Sequence, residues 1–175
     1  ATFNVYPVRI LRGIVSFSSF RKSFMPLHAV AYVSDAIDGI ETSDIDQILQ
    51  AAMGFNKVAG VTGVLMFDGR RFLQYFEGPE DGVDSVFQRV FNARIHTNLR
   101  ELARGPVSVR HFPRWTMASA AVEPDALARI IDAPWHGFQP QLPTGGDVPA
   151  GFGCLLAAWT GVSGELEPAA VTLGS

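Results

Sequence analysis

Gln74 is a primary amide set among apolar residues on one face of a strand. Two runs, 61–67 and 70–76, flank Asp68-Gly69, a pair that favours the positive φ of a two-residue type I′ turn. That turn predicts a hairpin in which Phe67 faces Arg70, Leu65 faces Phe72, Gly63 faces Gln74 and Val61 faces Phe76. With a period of two, one face reads Val61, Gly63, Leu65, Phe67, Phe72, Gln74, Phe76. An amide there has two donors and an acceptor, and leaving a buried one unanswered costs about 1–3 kcal/mol. Two readings are open: Gln74 satisfies a nearby backbone group, or it faces a polar, planar ligand for which Gly63 leaves room.

The elements that must position this amide follow from pattern. A strand is expected over 27–34, with His28, Val30, Tyr32 and Ser34 on one side. A helix follows, with Thr42 and Ser43 as N-cap hydroxyls, Asp44 and Asp46 in its first turn, and a stripe of Ile45, Ile48, Leu49, Ala52 and Met53. Gly54 weakens its end and Asn56 sits just past it, where asparagine is a common cap. A second helix opens at Gly78-Pro79-Glu80-Asp81 and repeats the stripe at Val83, Val86, Phe87, Val90 and Phe91. Strand signals resume over 99–102 and 107–112. The order β-α-β-β-α-β-β is that of a ferredoxin-like α+β sheet with two helices on one face and a right-handed first crossover. The other face, Thr62, Val64, Met66, Leu73 and Tyr75, is too apolar for water. Either residues after about 120 or a second subunit must cover it, and a short helix over 125–131 offers Leu127, Ile130 and Ile131. Beyond Pro134 the chain is rich in proline and glycine, with no recognisable second domain.

Composition narrows the functions. The 175 residues, 47% hydrophobic, suffice for one domain with extensions. A net charge of −3 gives no electrostatic case for nucleic acid. The first 34 residues hold Arg9, Arg12, Arg21 and Lys22 and no acid, which leaves ten bases against seventeen acids, −7, elsewhere. Residues 1–26 look like a transit-type segment or upstream sequence outside the natural product, with Met25 close to the true start; mass spectrometry of the natural N-terminus decides this. The single Cys154 excludes an internal disulfide, and His28, His96, His111 and His136 lack ligand spacing, so no metal is expected. No apolar run is long enough to span a bilayer, and the cytoplasm is the expected compartment.

Four separated patches, in order, carry a resemblance: Tyr32-Val33-Ser34; Asn56 followed by Gly60-Val61-Thr62-Gly63-Val64-Leu65; Arg71-Phe72-Leu73-Gln74-Tyr75-Phe76-Glu77-Gly78; and Arg110-His111-Phe112 running into Trp115-Thr116-Met117. Over residues 27–118 they resemble the BLUF family, blue-light sensors that hold a flavin without a covalent bond. Arg-Phe-Leu-Gln also echoes the LOV photoreceptors, but their chemistry needs a cysteine where this chain has Arg70.

The resemblance implies a flavin between the two helices, over the face that carries Gln74. Tyr32 matches the family's photochemical tyrosine, and Gln74 would bridge it to the flavin N5/C4=O edge, a two-state amide switch. Asn56 matches the asparagine that bonds the ring, and Phe72 would pack beside it. Trp115 and Met117, two apart and so on one side of a strand, match the relay residues; Met117, being flexible and polarisable, is the better candidate. Asn92 to Asn98 resembles the family's Asp-x-Arg-His stretch at the ribityl and phosphate end, which assigns Arg94 and His96 there. Ala93 replaces the acid and Ile95 the expected base, and Phe55 stands where a polar residue is frequent, so FMN or riboflavin competes with FAD as the cofactor.

The expectation is a short BLUF photoreceptor rather than an enzyme: an N-terminal extension (1–26), the flavin domain (27–118), and a C-terminal extension (119–175). Its output would pass through association, either in a homo-oligomer or with an unidentified downstream protein, without nucleic acid or membrane. The rivals are a thermal redox flavoprotein, which lacks a dinucleotide glycine fingerprint here, and a flavin-free ferredoxin-like interaction module.

Overall fold

The computed structural model describes residues 26–138 and 150–163; the basic N-terminal segment with Met25, and most of the Pro/Gly-rich tail, lie outside them. The elements are β1 (Leu27–Ala36), α1 (Thr42–Ala59), β2 (Thr62–Phe67), β3 (Arg71–Pro79), α2 (Glu80–Phe91), β4 (His96–Val107), β5 (Ala118–Ala121), α3 (Pro124–Asp132) and α4 (Gly151–Ser163). The sheet order is β4-β1-β3-β2-β5, antiparallel except for β5 beside β2. This is the ferredoxin-like α+β arrangement that the pattern predicts, with one strand added at the β2 edge.

The hairpin register differs from expectation by two residues. Phe67 pairs with Phe72, Leu65 with Gln74, and Gly63 with Phe76. The turn is wider because the Asp68 carboxylate accepts from the backbone N–H of Arg70 (2.9 Å) and of Arg71 (2.7 Å). A slip of two preserves every side chain's face. Gly63 therefore makes no space beside Gln74; a Cβ there would stand 2.2 Å from the Tyr75 carbonyl oxygen.

Helix α1 is capped by Glu41 rather than Thr42 or Ser43: its backbone N–H donates to Asp44 Oδ2 at 2.9 Å in a capping box. The helix runs through Gly54 and stops at Gly60, which takes the left-handed conformation at φ 67°. Asn56 is thus inside the last turn and not a cap. It is buried on the stripe Ile45, Leu49, Ala52, while Met53 is exposed. In α2, Val83 and Val86 are buried and Phe91, expected on the stripe, is 64% exposed.

The strand expected over 107–112 ends at Val107, and residues 110–112 are drawn onto the end of β3 instead. Arg110 Nη1 donates to Thr62 Oγ1 (2.8 Å) and to the Glu77 carbonyl (3.0 Å), and the Phe112 N–H donates to Glu77 Oε1 (2.6 Å). The outer apolar face is covered from within the chain. Leu127, Ile130 and Ile131 of α3 and Phe152, Leu155 and Trp159 of α4 close over Val64, Met66, Leu73 and Tyr75. Each fully buried leucine or phenylalanine there contributes about 1.5–3 kcal/mol of transfer free energy. Helix α4 was not anticipated in the Pro/Gly-rich stretch.

Candidate functional site

Strands β1 and β3 are neighbours, and their register sets Tyr32 directly opposite Gln74. The Tyr32 hydroxyl donates to Gln74 Oε1 at 2.5 Å, and Gln74 Nε2 lies 3.4 Å from Met117 Sδ. All three side chains are buried. Burial pushes the Tyr32 pKa up, so the phenol is a neutral donor. The amide thus has each end engaged by a different neighbour, and turning it over would exchange what it offers both.

This pair stands on the wall of a cavity of about 230 Å³ between α1 and α2. Leu65, Phe72, Ile45, Leu49 and Val86 give it apolar walls, and Asn56 closes one side. Asn56 Nδ2 donates to the Thr116 carbonyl at 2.8 Å, tying the helix to the segment that carries Met117. The helices touch at one end, where a Cβ on Gly82 would lie 2.2 Å from the Ala59 carbonyl oxygen, and neither of these residues lines the cavity. A second cleft at the sheet's end, among Asp35, Asp38, Asp68, Arg70 and Arg71, is mainly polar and has no aromatic side chain in its lining.

His96 also lines the cavity. Its Nε2 is 2.9 Å from the Val90 carbonyl, which can only accept, so Nε2 carries the proton and Nδ1 offers a lone pair. Nδ1 is buried without a hydrogen-bond partner, and burial holds the imidazole pKa below its ordinary value. Such an orphaned acceptor on a cavity wall marks where a ligand donor would be satisfied.

Arg94 is exposed and lies off the cavity wall, whereas Ala93 and Ile95 are on it. The cation at the cavity is Arg89, stacked over the Phe55 ring at 4.4 Å and missed in the sequence reading. Its signal in the sequence is weak: Arg89 flanks the apolar stripe of α2, three residues on from Val86, without breaking it. Trp115 and Met117 do not share a side. They precede β5 in an irregular segment, with Met117 against Gln74 on the face that α1 covers. Trp115 packs on the opposite face against Phe112 and Trp159. Among the described residues no His, Cys, Asp and Glu side chains group as a metal site, and no helix is long and apolar enough to cross a membrane.

The family model described as sensors of blue light using FAD matches residues 27–118. The chain is 30% identical over 98 residues to a photoactivated adenylate cyclase subunit beta of Euglena gracilis, covering 55% of this chain and 11% of that protein. It is 30% identical over 117 residues to the blue light- and temperature-regulated antirepressor BluF of Escherichia coli K12, covering 65% of this chain and 29% of that one. Among solved structures, the dark state of the BLUF protein BlrB aligns with a TM-score of 0.53 at 30% identity, over 56% of this chain and 75% of that one. A bacterial light-regulated adenylyl cyclase aligns with a TM-score of 0.53 at 25% identity, over 54% and 28%. The chain thus spans only about a tenth of the cyclase subunit and under a third of the antirepressor.

Proposed function

The chain belongs to the BLUF family of flavin-using blue-light sensors, and from that premise we propose that Tyr32 and Gln74 form its light-driven hydrogen-bond switch. The observation that carries this reading is the engagement of one buried amide by Tyr32 on one end and Met117 on the other. The cavity suits the cofactor. Its 230 Å³ is below the ~300–1,000 Å³ of pockets that enclose a whole drug-sized ligand, which favours a planar ring inside with its side chain beyond the mouth. Gln74, Asn56 and the unpartnered His96 Nδ1 supply the polar edge such a ring needs.

A bound flavin supplies, on excitation, an acceptor for one electron and one proton. Tyr32 would be the donor of both: its oxidised phenol, a strong acid, would release its proton along the bond to Gln74, and electron and proton would return to Tyr32 so that the flavin ends unreduced. Gln74 then rotates or tautomerises, and its changed donor pattern ends the contact with Met117 Sδ. That biases the segment 115–117 between two conformers, a population shift of a few kcal/mol at most. Output passes through association with a protein partner or a second copy. Because α3 and α4 cover the outer sheet face, that association uses a surface these helices present or release.

The test is the absorption spectrum of protein loaded with FAD, before and after blue light, with light-scattering mass on the same sample. A small reversible red shift of the flavin band is expected, with a mass above one chain in at least one state. A bleached or unchanged band overturns the switch; a one-chain mass both dark and lit overturns self-association.

Arg89, rather than Arg94, is proposed to hold the anionic end of the cofactor, since it stands at the cavity and its stacking on Phe55 pre-orders the guanidinium. Arg89→Gln should weaken FMN by about tenfold, the worth of one charge-assisted hydrogen bond, with riboflavin little changed. Arg94→Gln should alter neither. Fluorescence titration with both flavins decides; a larger FMN loss in the Arg94 variant returns the role to that residue.

A further inference from the structure

We propose that Glu77 is a positioning residue of the light response, holding the start of the relay segment so that Met117 stays against Gln74 in the dark. The inference rests on the photoreceptor reading above and deepens it. Glu77 lies three residues beyond Gln74 on β3, on the opposite face, and is fully buried. Its carboxylate accepts from the Tyr75 hydroxyl at 2.8 Å, from the Phe112 backbone N–H at 2.6 Å, and from the His111 backbone. Burial raises the carboxyl pKa, while these donors and the nearby Arg110 guanidinium pull it back. Two of the three donors are backbone N–H groups, which cannot reverse to accept. A carboxylate answers all of them by accepting alone, and as a charged acceptor it holds the backbone N–H groups more strongly than a neutral amide would.

Arg110 completes the fastening, since Nη2 donates to the Gly60 carbonyl at 2.6 Å and Nη1 to Thr62 and the Glu77 carbonyl. Residues 110–112 are therefore fixed to the ends of β2 and β3. Three residues later the Trp115 carbonyl accepts from the Gly63 N–H at 2.9 Å, and the Thr116 carbonyl accepts from Asn56. Met117 then meets Gln74 at 3.4 Å. One strand thus grips the segment by both faces, at Glu77 upstream and at Gln74 downstream. A fixed upstream anchor makes the Gln74 contact recover in register after each photocycle; without it the segment must find its place again.

Glu77→Gln replaces the charged acceptor by a neutral amide whose NH₂ can serve only the reversible Tyr75 hydroxyl, and so weakens the hold on the backbone N–H groups. Recovery in the dark should slow by about tenfold, the factor that a hydrogen bond to a charged group is typically worth, while flavin affinity stays within about twofold. Tyr75→Phe removes one of the three donors and leaves the backbone pair, so its recovery should fall between the two. Leu127→Ala, which opens the outer core without removing a hydrogen bond to the segment, should lower stability and leave recovery unchanged. Wild-type or faster recovery in a folded Glu77→Gln protein overturns the proposal. Should that variant not fold, wild-type recovery in Tyr75→Phe does so. A slowed Leu127→Ala also overturns it, because the effect would then follow stability alone. A wild type without any reversible shift would instead remove the photoreceptor reading itself.

Discussion

Gln74→Leu keeps its flavin and loses the reversible red shift. Leucine has nearly the amide's size and suits a wall already built from Leu65, Phe72 and Ile45. It removes the acceptor for Tyr32 and the donor to Met117 together. The Tyr32 hydroxyl, in a side chain only 4% exposed, then lacks its partner, which costs about 1–3 kcal/mol, partly offset by the buried amide that is gone. Folding therefore survives, while the route for the phenolic proton does not. Tyr32→Phe deletes the donor instead and should give the same silent spectrum with an intact Gln74. Difference spectra of both flavin-loaded variants, dark and lit, measure this. A wild-type shift in either one shows that the missing group takes no part in the switch.

The parts of the fold that rest on period were legible. Alternation put Gln74 on the Leu65 and Phe72 face of the hairpin, and it remains there although the register moved by two, since parity survives an even slip; that Tyr32 stands opposite it came from the resemblance. What failed needed side chains that act on backbone. The Asp68 carboxylate widened the turn by taking two N–H groups, and Glu77 with Arg110 ended the strand expected over 107–112. That early ending also separated Trp115 from Met117, because side chains two apart share a side only where a strand persists. Helix α4 escaped because it is apolar around most of its circumference and carries no charge, so no stripe marks it. Arg89 escaped for a different reason: it flanks the α2 stripe without breaking it, and the resemblance points to Arg94, five residues on.

The contact that shapes the cavity can be tested through one methyl group. Gly82→Ala should destabilise the protein and weaken flavin binding, although alanine is the better helix former by about 1 kcal/mol. The added Cβ would lie 2.2 Å from the Ala59 carbonyl oxygen and 3.4 Å from Val61 Cγ2. The carbonyl has little room to retreat: it ends α1, whose last turn is closed by the left-handed Gly60 and by the Val61 N–H donating to the Asn56 carbonyl at 2.8 Å. Helix α2 must move off instead, and such overpacking costs about 1–3 kcal/mol or more. At roughly 2–4 °C per kcal/mol for a chain of this size, a melting point lower by several degrees follows. The same shift disturbs Asn56, one turn before Ala59, and with it the bond to Thr116 that fixes the relay segment. Gly54→Ala is the matched control, since Gly54 lies exposed in α1 with nothing within 4 Å of a new Cβ; it should stabilise by about 0.5–1 kcal/mol and leave flavin binding alone. Thermal melts and flavin titrations of the two variants should therefore move in opposite directions in stability, with only Gly82→Ala losing affinity. Equal behaviour would mean that the helix contact at Ala59 does not set the width of the cavity.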